Sequence, residues 1–268
     1  MTDRVTCTID GDGVADVRLN RPEKMNALDT AMFNGLVDTG EALRANPKVR
    51  AVVLSGEGRA FCAGLDFSGF QAMAGGPREG GPSIADLEGR ITHRGQQAAF
   101  VWTEMPVPVI AAVHGVALGG GCQIACGADM RYVAPDAQMS VLEVRWGLTP
   151  DMTVTAWLPN MVGLDMAKEL TFSGRMVSGE EAVRIGLATK VCADPRADAL
   201  ALAHEIASKN PGAIRGAKRL LNMSGTVSLA EQFKAEREII GSLIGTPNQV
   251  EAIKAFFEKR PAVYSDPS

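Results

Sequence analysis

Histidine is nearly absent from this chain: His93, His114 and His204 are the only three in 268 residues. They stand too far apart to build a histidine-rich metal centre. Cysteine is sparse and odd in number, with Cys7, Cys62, Cys122, Cys126 and Cys192 scattered and three of them in apolar stretches. That usage excludes a disulfide framework and points to reduced, buried thiols in the cytoplasm. Cys122 and Cys126 lack partners at zinc spacing, so no metal is expected. Basic residues are not in excess: the net charge is -4 and the isoelectric point about 5.5, which argues against nucleic acid and against a polybasic membrane surface. The polar opening from Met1 to Asp12 has no apolar core of a secretory signal. No Gly-x-x-x-x-Gly-Lys-Ser/Thr, no early Gly-x-Gly-x-x-Gly and no Gly-x-Ser-x-Gly occurs. A phosphate loop, a dinucleotide fingerprint and a hydrolase nucleophile elbow are each left without their residues.

What the chain does contain is a long stretch without charge. Met105 to Ala128 runs 24 residues with no Asp, Glu, Lys or Arg, and it holds the triplet Gly119-Gly120-Gly121. Pro106, Pro108, His114, Gln123 and five glycines rule against a membrane span, because they break or hydrate a lipid-facing helix. The stretch reads instead as a buried strand (Val107 to Val113), a glycine turn, and a short buried helix from about Gly121. Three glycines remove every Cβ at the turn, so other atoms can approach the bare backbone. A backbone N–H entering a helix N-terminus is a donor aimed at negative charge. Such a donor suits a phosphate cradle or an oxyanion hole.

Strand patterns fill the first half and helical patterns the last third. Val14 to Leu19 alternates, Val49 to Leu54 reads as a buried strand, and Met130 to Val133 and Gln138 to Val141 flank Pro135-Asp136. Asp29 is placed to cap a helix whose Met32, Phe33, Leu36, Val37 and Leu43 share a face. Ile84, Leu87, Ile91, Ala98, Val101 and Met105 predict one long amphipathic helix after the linker-like Gly75 to Pro82. Ser178 to Glu181 and Ser228 to Glu231 read as capping boxes, and Asp194-Pro195 and Thr246-Pro247 as a cap followed by a first-turn proline. The expected organisation is an α/β core over 1–193 and a helical region over 194–268.

Two glycine-containing strand ends about 55 residues apart, each able to present a backbone donor, suit stabilisation of an enolate when carboxylates follow downstream. The stretches Arg21-Pro22-Glu23-Lys24-Met25-Asn26-Ala27-Leu28, Ala60-Phe61-Cys62-Ala63-Gly64-Leu65-Asp66 and Ala112 to Gly115 come first, in that order. Gly119-Gly120-Gly121-Cys122, Asp129 to Tyr132, Ser173-Gly174-Arg175 and Phe256 to Arg260 follow. Together they resemble the crotonase superfamily of acyl-CoA enzymes, the enoyl-CoA hydratases and isomerases, over nearly the whole chain. The resemblance implies a ClpP/crotonase-like spiral of repeated strand-strand-helix units with a C-terminal α-helical oligomerisation region, assembled as a homotrimer or a hexamer of paired trimers.

The same resemblance implies an oxyanion hole from the backbone amides of Leu65 and Gly120. It also implies CoA contacts at Lys24 and Met25, along Cys62, Ala63 and Leu65, and at Phe256 and Lys259 near the C-terminus. A solvated helix-end lysine is the plain alternative for Lys259. Similar hydratases carry two glutamates; here the first position is Gln123, which cannot titrate, and the second is Glu143. One carboxylate is enough to shuttle a proton between two carbons of an enolate. Asp151, eight residues on, is either a second acid-base group, as similar dienoyl isomerases use, or a residue favouring the start of the next helix. The expected function is isomerisation of a 3-enoyl-CoA or dienoyl-CoA double bond through a thioester enolate. Hydration of a 2-enoyl-CoA and a non-catalytic acyl-CoA-binding protein are the alternatives. No cofactor is expected, since coenzyme A enters with the substrate.

Overall fold

The computed structural model describes residues 3–66 and 87–267. The chain opens with an antiparallel hairpin, β1 (Val5–Ile9) and β2 (Val14–Leu19), paired from Val5 against Leu19 to Ile9 against Ala15. Helix α1 (Thr30–Arg44) follows, its first turn capped by the Asp29 side chain accepting from Met32 N–H. Next come β3 (Ala51–Gly56) and α2 (Arg94–Glu104), and then a tight unit of β4 (Val109–Val113), β5 (Val116–Leu118) and α3 (Gly120–Gly127). The unit repeats as β6 (Met130–Val133), β7 (Gln138–Ser140) and α4 (Val154–Val162). Helix α5 (Leu164–Ser173), β8 (Val177–Ser178), α6 (Gly179–Arg184) and β9 (Lys190–Val191) complete the α/β part.

Each strand-strand-helix unit gives its first strand to one sheet and its second to another. The larger sheet runs β1-β2-β3-β4-β6-β9 and is parallel beyond the opening hairpin. The smaller runs β5-β7-β8. This is the spiral expected from the resemblance. Every residue of β3 and β4 is buried, as a parallel sheet covered on both faces requires. One face packs on Leu36, Phe61, Trp102 and Ile124. The other carries Val14, Ala51, Val53 and Ile110 and is covered by Ala199, Ala203 and Ala207 of α7 (Pro195–Ala207). The first helix beyond residue 193 thus packs directly on the sheet.

Three further helices follow: α8 (Pro211–Met223), α9 (Leu229–Leu243) and α10 (Pro247–Glu258). Lys218 fastens α8 to the core, its buried ammonium donating to Trp102 O at 3.3 Å, Val107 O at 3.0 Å and Asp129 Oδ2 at 2.7 Å. Asp194 and Thr246 cap α7 and α10 with proline at the first helical position, as read from the sequence. Ser228 and Glu231 form the full capping box. Ser178 caps α6 through Glu181 N–H, while the Glu181 carboxylate is engaged by Arg175.

Two expectations need correction. Strand β3 starts at Ala51 and ends at Gly56, two residues later than the apolar run, because its pairing with β2 from Val14–Ala51 to Leu19–Gly56 sets the ends. The helix expected from Ile84 begins only at Arg94. A bond from Leu87 N–H to Thr92 O bends the chain first, and His93 then caps the helix with Gln96 closing the box. Ile91 is exposed as a result. Ile84 and the Gly75–Pro82 stretch lie outside the described residues. Among the described residues no helix is long and apolar enough to cross a membrane.

Candidate active site

The segment 60–65 leaves the end of β3 and is gripped from both sides. Cys62 pairs with Ala117 beside β5, donating to Val116 O and accepting from Leu118 N–H. Ala63 N–H donates to Met25 O at 2.9 Å, which brings the two expected CoA-contact segments together. Met25 and Asn26 both adopt left-handed backbone, at φ 50° and 55°. That bend turns the fully buried Asn26 side chain into a hub, its Nδ2 donating to Glu57 O, Ala60 O and Phe61 O. The sequence reading quoted Asn26 within a motif and gave it no role. Burial pushes the Cys62 thiol up to about 12, and its Sγ donates to Asn26 O, so it is an inert packing group.

Leu65 sits one step beyond, bridged to Leu28. Gly64 O accepts from Leu28 N–H at 2.8 Å and Asp66 N–H donates to Leu28 O at 3.0 Å. In a parallel bridge those two bonds turn the intervening Leu65 N–H to the opposite side. Arg21 clamps the next residue through Asp66 Oδ2 at 2.5 Å. Gly120 is the first residue of α3, so its N–H has no carbonyl one turn back to bond. Among the described residues no acceptor takes either the Leu65 or the Gly120 N–H.

The three glycines of the triplet are required for different reasons. Gly119 has φ 50° and ψ -120°, a region closed to residues with a Cβ, and an added Cβ would sit 3.3 Å from Glu143 Oε1. A Cβ on Gly121 would lie 2.4 Å from Cys62 O, against backbone. At Gly120 a Cβ would meet only side-chain ends, Leu28 Cδ1 at 2.7 Å and Met152 Sδ at 2.9 Å.

The short 3-10 turn Glu143–Trp146 follows the end of β7 and sets Glu143 behind the triplet, buried. Its Oε1 accepts from Gln123 Nε2 at 2.6 Å, and Oε2 has no partner. Gln123 is itself committed at both ends, because its Oε1 accepts from Met152 N–H at 2.9 Å. It therefore positions Glu143 and pins the 150s segment to α3. Burial raises the Glu143 pKa, and nearby Asp151 adds to the rise. The Gln123 bond and backbone N–H groups pull the other way. Two cavities, of about 560 Å³ beside Arg90 and Phe100 and about 580 Å³ between Met105 and α8, are not lined by Glu143.

Asp151 is exposed, lies two residues before Thr153, the cap of α4, and is near enough to Glu143 to raise its pKa. Thr153 has φ 76°, unfavourable for a β-branched residue by about 1–3 kcal/mol, and its hydroxyl does not cap the helix. Lys24 is exposed. Phe256 and Lys259 are exposed on and just after α10, and the tail beyond them is tied to Arg50 at the opposite end of β3 through Tyr264 O and Asp266. Within one chain those two do not join the site. His114, read as structural, bonds Gly58 O through Nε2 at 2.9 Å.

Residues 10–267 match the enoyl-CoA hydratase/isomerase family. The chain belongs to that family. It is 34% identical over 252 residues to the mitochondrial Delta(3,5)-Delta(2,4)-dienoyl-CoA isomerase of Mus musculus, covering 92% of this chain and 77% of that protein. It is 32% identical to the mitochondrial methylglutaconyl-CoA hydratase of the same species, over 94% of this chain and 79% of that one. The fold superposes on the enoyl-CoA hydratase of Bacillus anthracis with a TM-score of 0.86 and 29% identity, covering 97% of this chain and 98% of that chain. Membership makes the chain an enzyme of the acyl-CoA class, and isomerases and hydratases both stand among its relatives.

Proposed function

We propose that the chain isomerises the double bond of an enoyl-CoA, taking a 3-enoyl or dienoyl thioester, through an enolate. One observation carries this reading: the one buried carboxylate among the described residues, Glu143, is held by Gln123 through one oxygen and keeps the other unbonded. Glu143 removes a proton from C2 of a 3-enoyl thioester, and the electrons move onto the thioester oxygen. The N–H groups of Leu65 and Gly120 receive that oxygen, a kind of donor worth about 3 kcal/mol each when preorganised. Glu143 then returns the same proton to C4 as the double bond forms between C2 and C3. With a dienoyl substrate, Asp151 is the second proton-transfer group.

Hydration of a 2-enoyl thioester is the second reading, supported by the likeness to methylglutaconyl-CoA hydratase. It would require water activation with Gln123 in place of a carboxylate. Lys24, Met25, Cys62 and Ala63 line the CoA path in this proposal, and Phe256 and Lys259 serve the site of a neighbouring subunit. A homotrimer or hexamer built on the helices of 194–268 belongs to the same reading, with 1–193 holding the acyl-CoA site. Coenzyme A enters with the substrate, without a cofactor, metal, nucleic acid or membrane. The five free cysteines fit a reducing compartment such as the cytoplasm. The test is incubation with 2-enoyl, 3-enoyl and dienoyl thioesters while following the conjugated enoyl absorbance. Turnover of the 3-enoyl or dienoyl ester ahead of the 2-enoyl ester is expected, and rapid hydration alone would overturn it.

A further inference from the structure

We propose that the acyl end of the site is built for a chain bearing a neutral oxygen, a hydroxyl or carbonyl, beyond the carbons that exchange protons, held by Thr153 and Trp157. This deepens the acyl-CoA reading above and rests on it. Most buried polar atoms without a partner belong to side chains already bonded through another atom, as Asp16 is to Arg196 and Arg215 to Val49 O. Among the described residues, three buried groups make no hydrogen bond at all: Ser55 Oγ, Thr153 Oγ1 and Trp157 Nε1. Ser55 lies inside β3. The other two stand four residues apart on one segment, Thr153 as the cap of α4 and Trp157 in its first turn.

That segment is joined to the catalytic cluster. Met152, immediately before Thr153, donates to Gln123 and sets its sulfur against the Gly120 position. Thr153 keeps its left-handed backbone where glycine or asparagine would be less strained, and its hydroxyl makes no capping bond. Buried, strained and unbonded groups of this kind gather at ligand clamps. The Trp157 ring is fixed by stacking on Phe100 of α2, with centroids 6.4 Å apart and planes 8° apart, so its N–H points in one set direction.

An indole N–H can only donate, and a hydroxyl can donate or accept, so the matching ligand group is an acceptor. Both partners are neutral. Arg145, the one cation between 143 and 157, is exposed and lies against Gly174, so this segment supplies no charge for a carboxylate. A plain alkyl chain would leave both groups dry and unbonded in the complex, which is how a polar site rejects an apolar analogue.

The test uses saturated acyl-CoA esters of matched length, one alkyl and one carrying a hydroxyl or keto group past C4, bound to the full chain by calorimetry. Saturation separates binding from turnover. The parent should prefer the oxygenated ester by about tenfold or more, and Thr153→Val and Trp157→Phe should each bring that ratio within about threefold. Both variants should fold by circular dichroism, and Thr153→Val should melt no lower than the parent, since the lost hydroxyl has no partner in the free protein. Equal affinity in the parent, or a preference surviving both changes, would overturn the inference while the acyl-CoA reading stands. Tighter binding of a carboxylate-bearing ester than of either would overturn the neutral-oxygen assignment. Failure of every thioester to bind would remove the acyl-CoA reading itself.

Discussion

Two glutamates show how differently the core and the C-terminal helices are finished. Glu143 is buried, carries one unbonded oxygen, and is held above the ordinary carboxylate range by that burial. Glu251 on α10 takes two bonds from Arg260 and one from Val263 N–H, which hold its pKa down to about 2. The helical region leaves apolar area exposed: Leu221, Leu229, Phe233, Ile240, Ile244 and Phe256 all face solvent in the single chain. Around Glu143 it is instead polar atoms that are buried without partners. A missing hydrogen bond in a dry site calls for a small ligand, whereas missing burial on helix faces calls for another protein surface.

The largest effect should come from Glu143→Gln, with turnover down by at least about a hundredfold and acyl-CoA binding nearly kept. The same change should raise stability. Because the folded pKa is raised, the native state holds more protons than the unfolded chain above the ordinary glutamate value, and parent stability falls as pH rises through that window. The variant should therefore out-melt the parent at about pH 8 and lose that advantage near pH 4 to 5. A lower melting point at both pH values would show that Glu143 is a structural carboxylate.

Next in size is the exposed face of α9. Phe233→Asp with Ile240→Asp should weaken self-association by about tenfold or more, read by light scattering, with secondary structure intact. A parent that is monomeric at micromolar concentration would break the comparison on its helical side.

Lys218→Ala should lower stability by about 2 kcal/mol in chemical denaturation, since two carbonyls and Asp129 lose a buried donor. An unchanged midpoint would mean that α8 is held by apolar contact alone. The smallest effect belongs to Gln123→Met, which keeps the volume and removes the bond that lowers the Glu143 pKa. The acid limb of the rate profile should move to higher pH, with less than about tenfold lost on the alkaline side. An unmoved limb would uncouple Gln123 from Glu143.

Much of the fold was legible because it is written in short-range rules. Asp29, Asp194, Ser228 and Thr246 cap where their spacing says, β2 and β6 follow their apolar runs, and β4 starts two residues late at Val109. The helix expected from Ile84 failed because a six-residue turn, Leu87 to Thr92, outweighed the periodicity and left Ile91 exposed. Glu143 and Gln123 could be picked out by type and position. That they touch, and that Gln123 is used up at both ends, depends on a helix, a 3-10 turn and Met152 meeting in space.

By itself the sequence determined the charge-free glycine stretch and the capped helix starts, because composition and spacing act locally, while the strand-strand-helix repeat and the place of Gln123 came from the resemblance of its motifs to a family. The tertiary structure alone decided which N–H groups are left over. Leu65 is freed by bonds on either side of it and Gly120 by its place as the first residue of a helix, while Glu143 Oε2, Thr153 and Trp157 find no partner among the described residues. Those vacancies arise from contacts between segments far apart in the chain, and no local pattern records them.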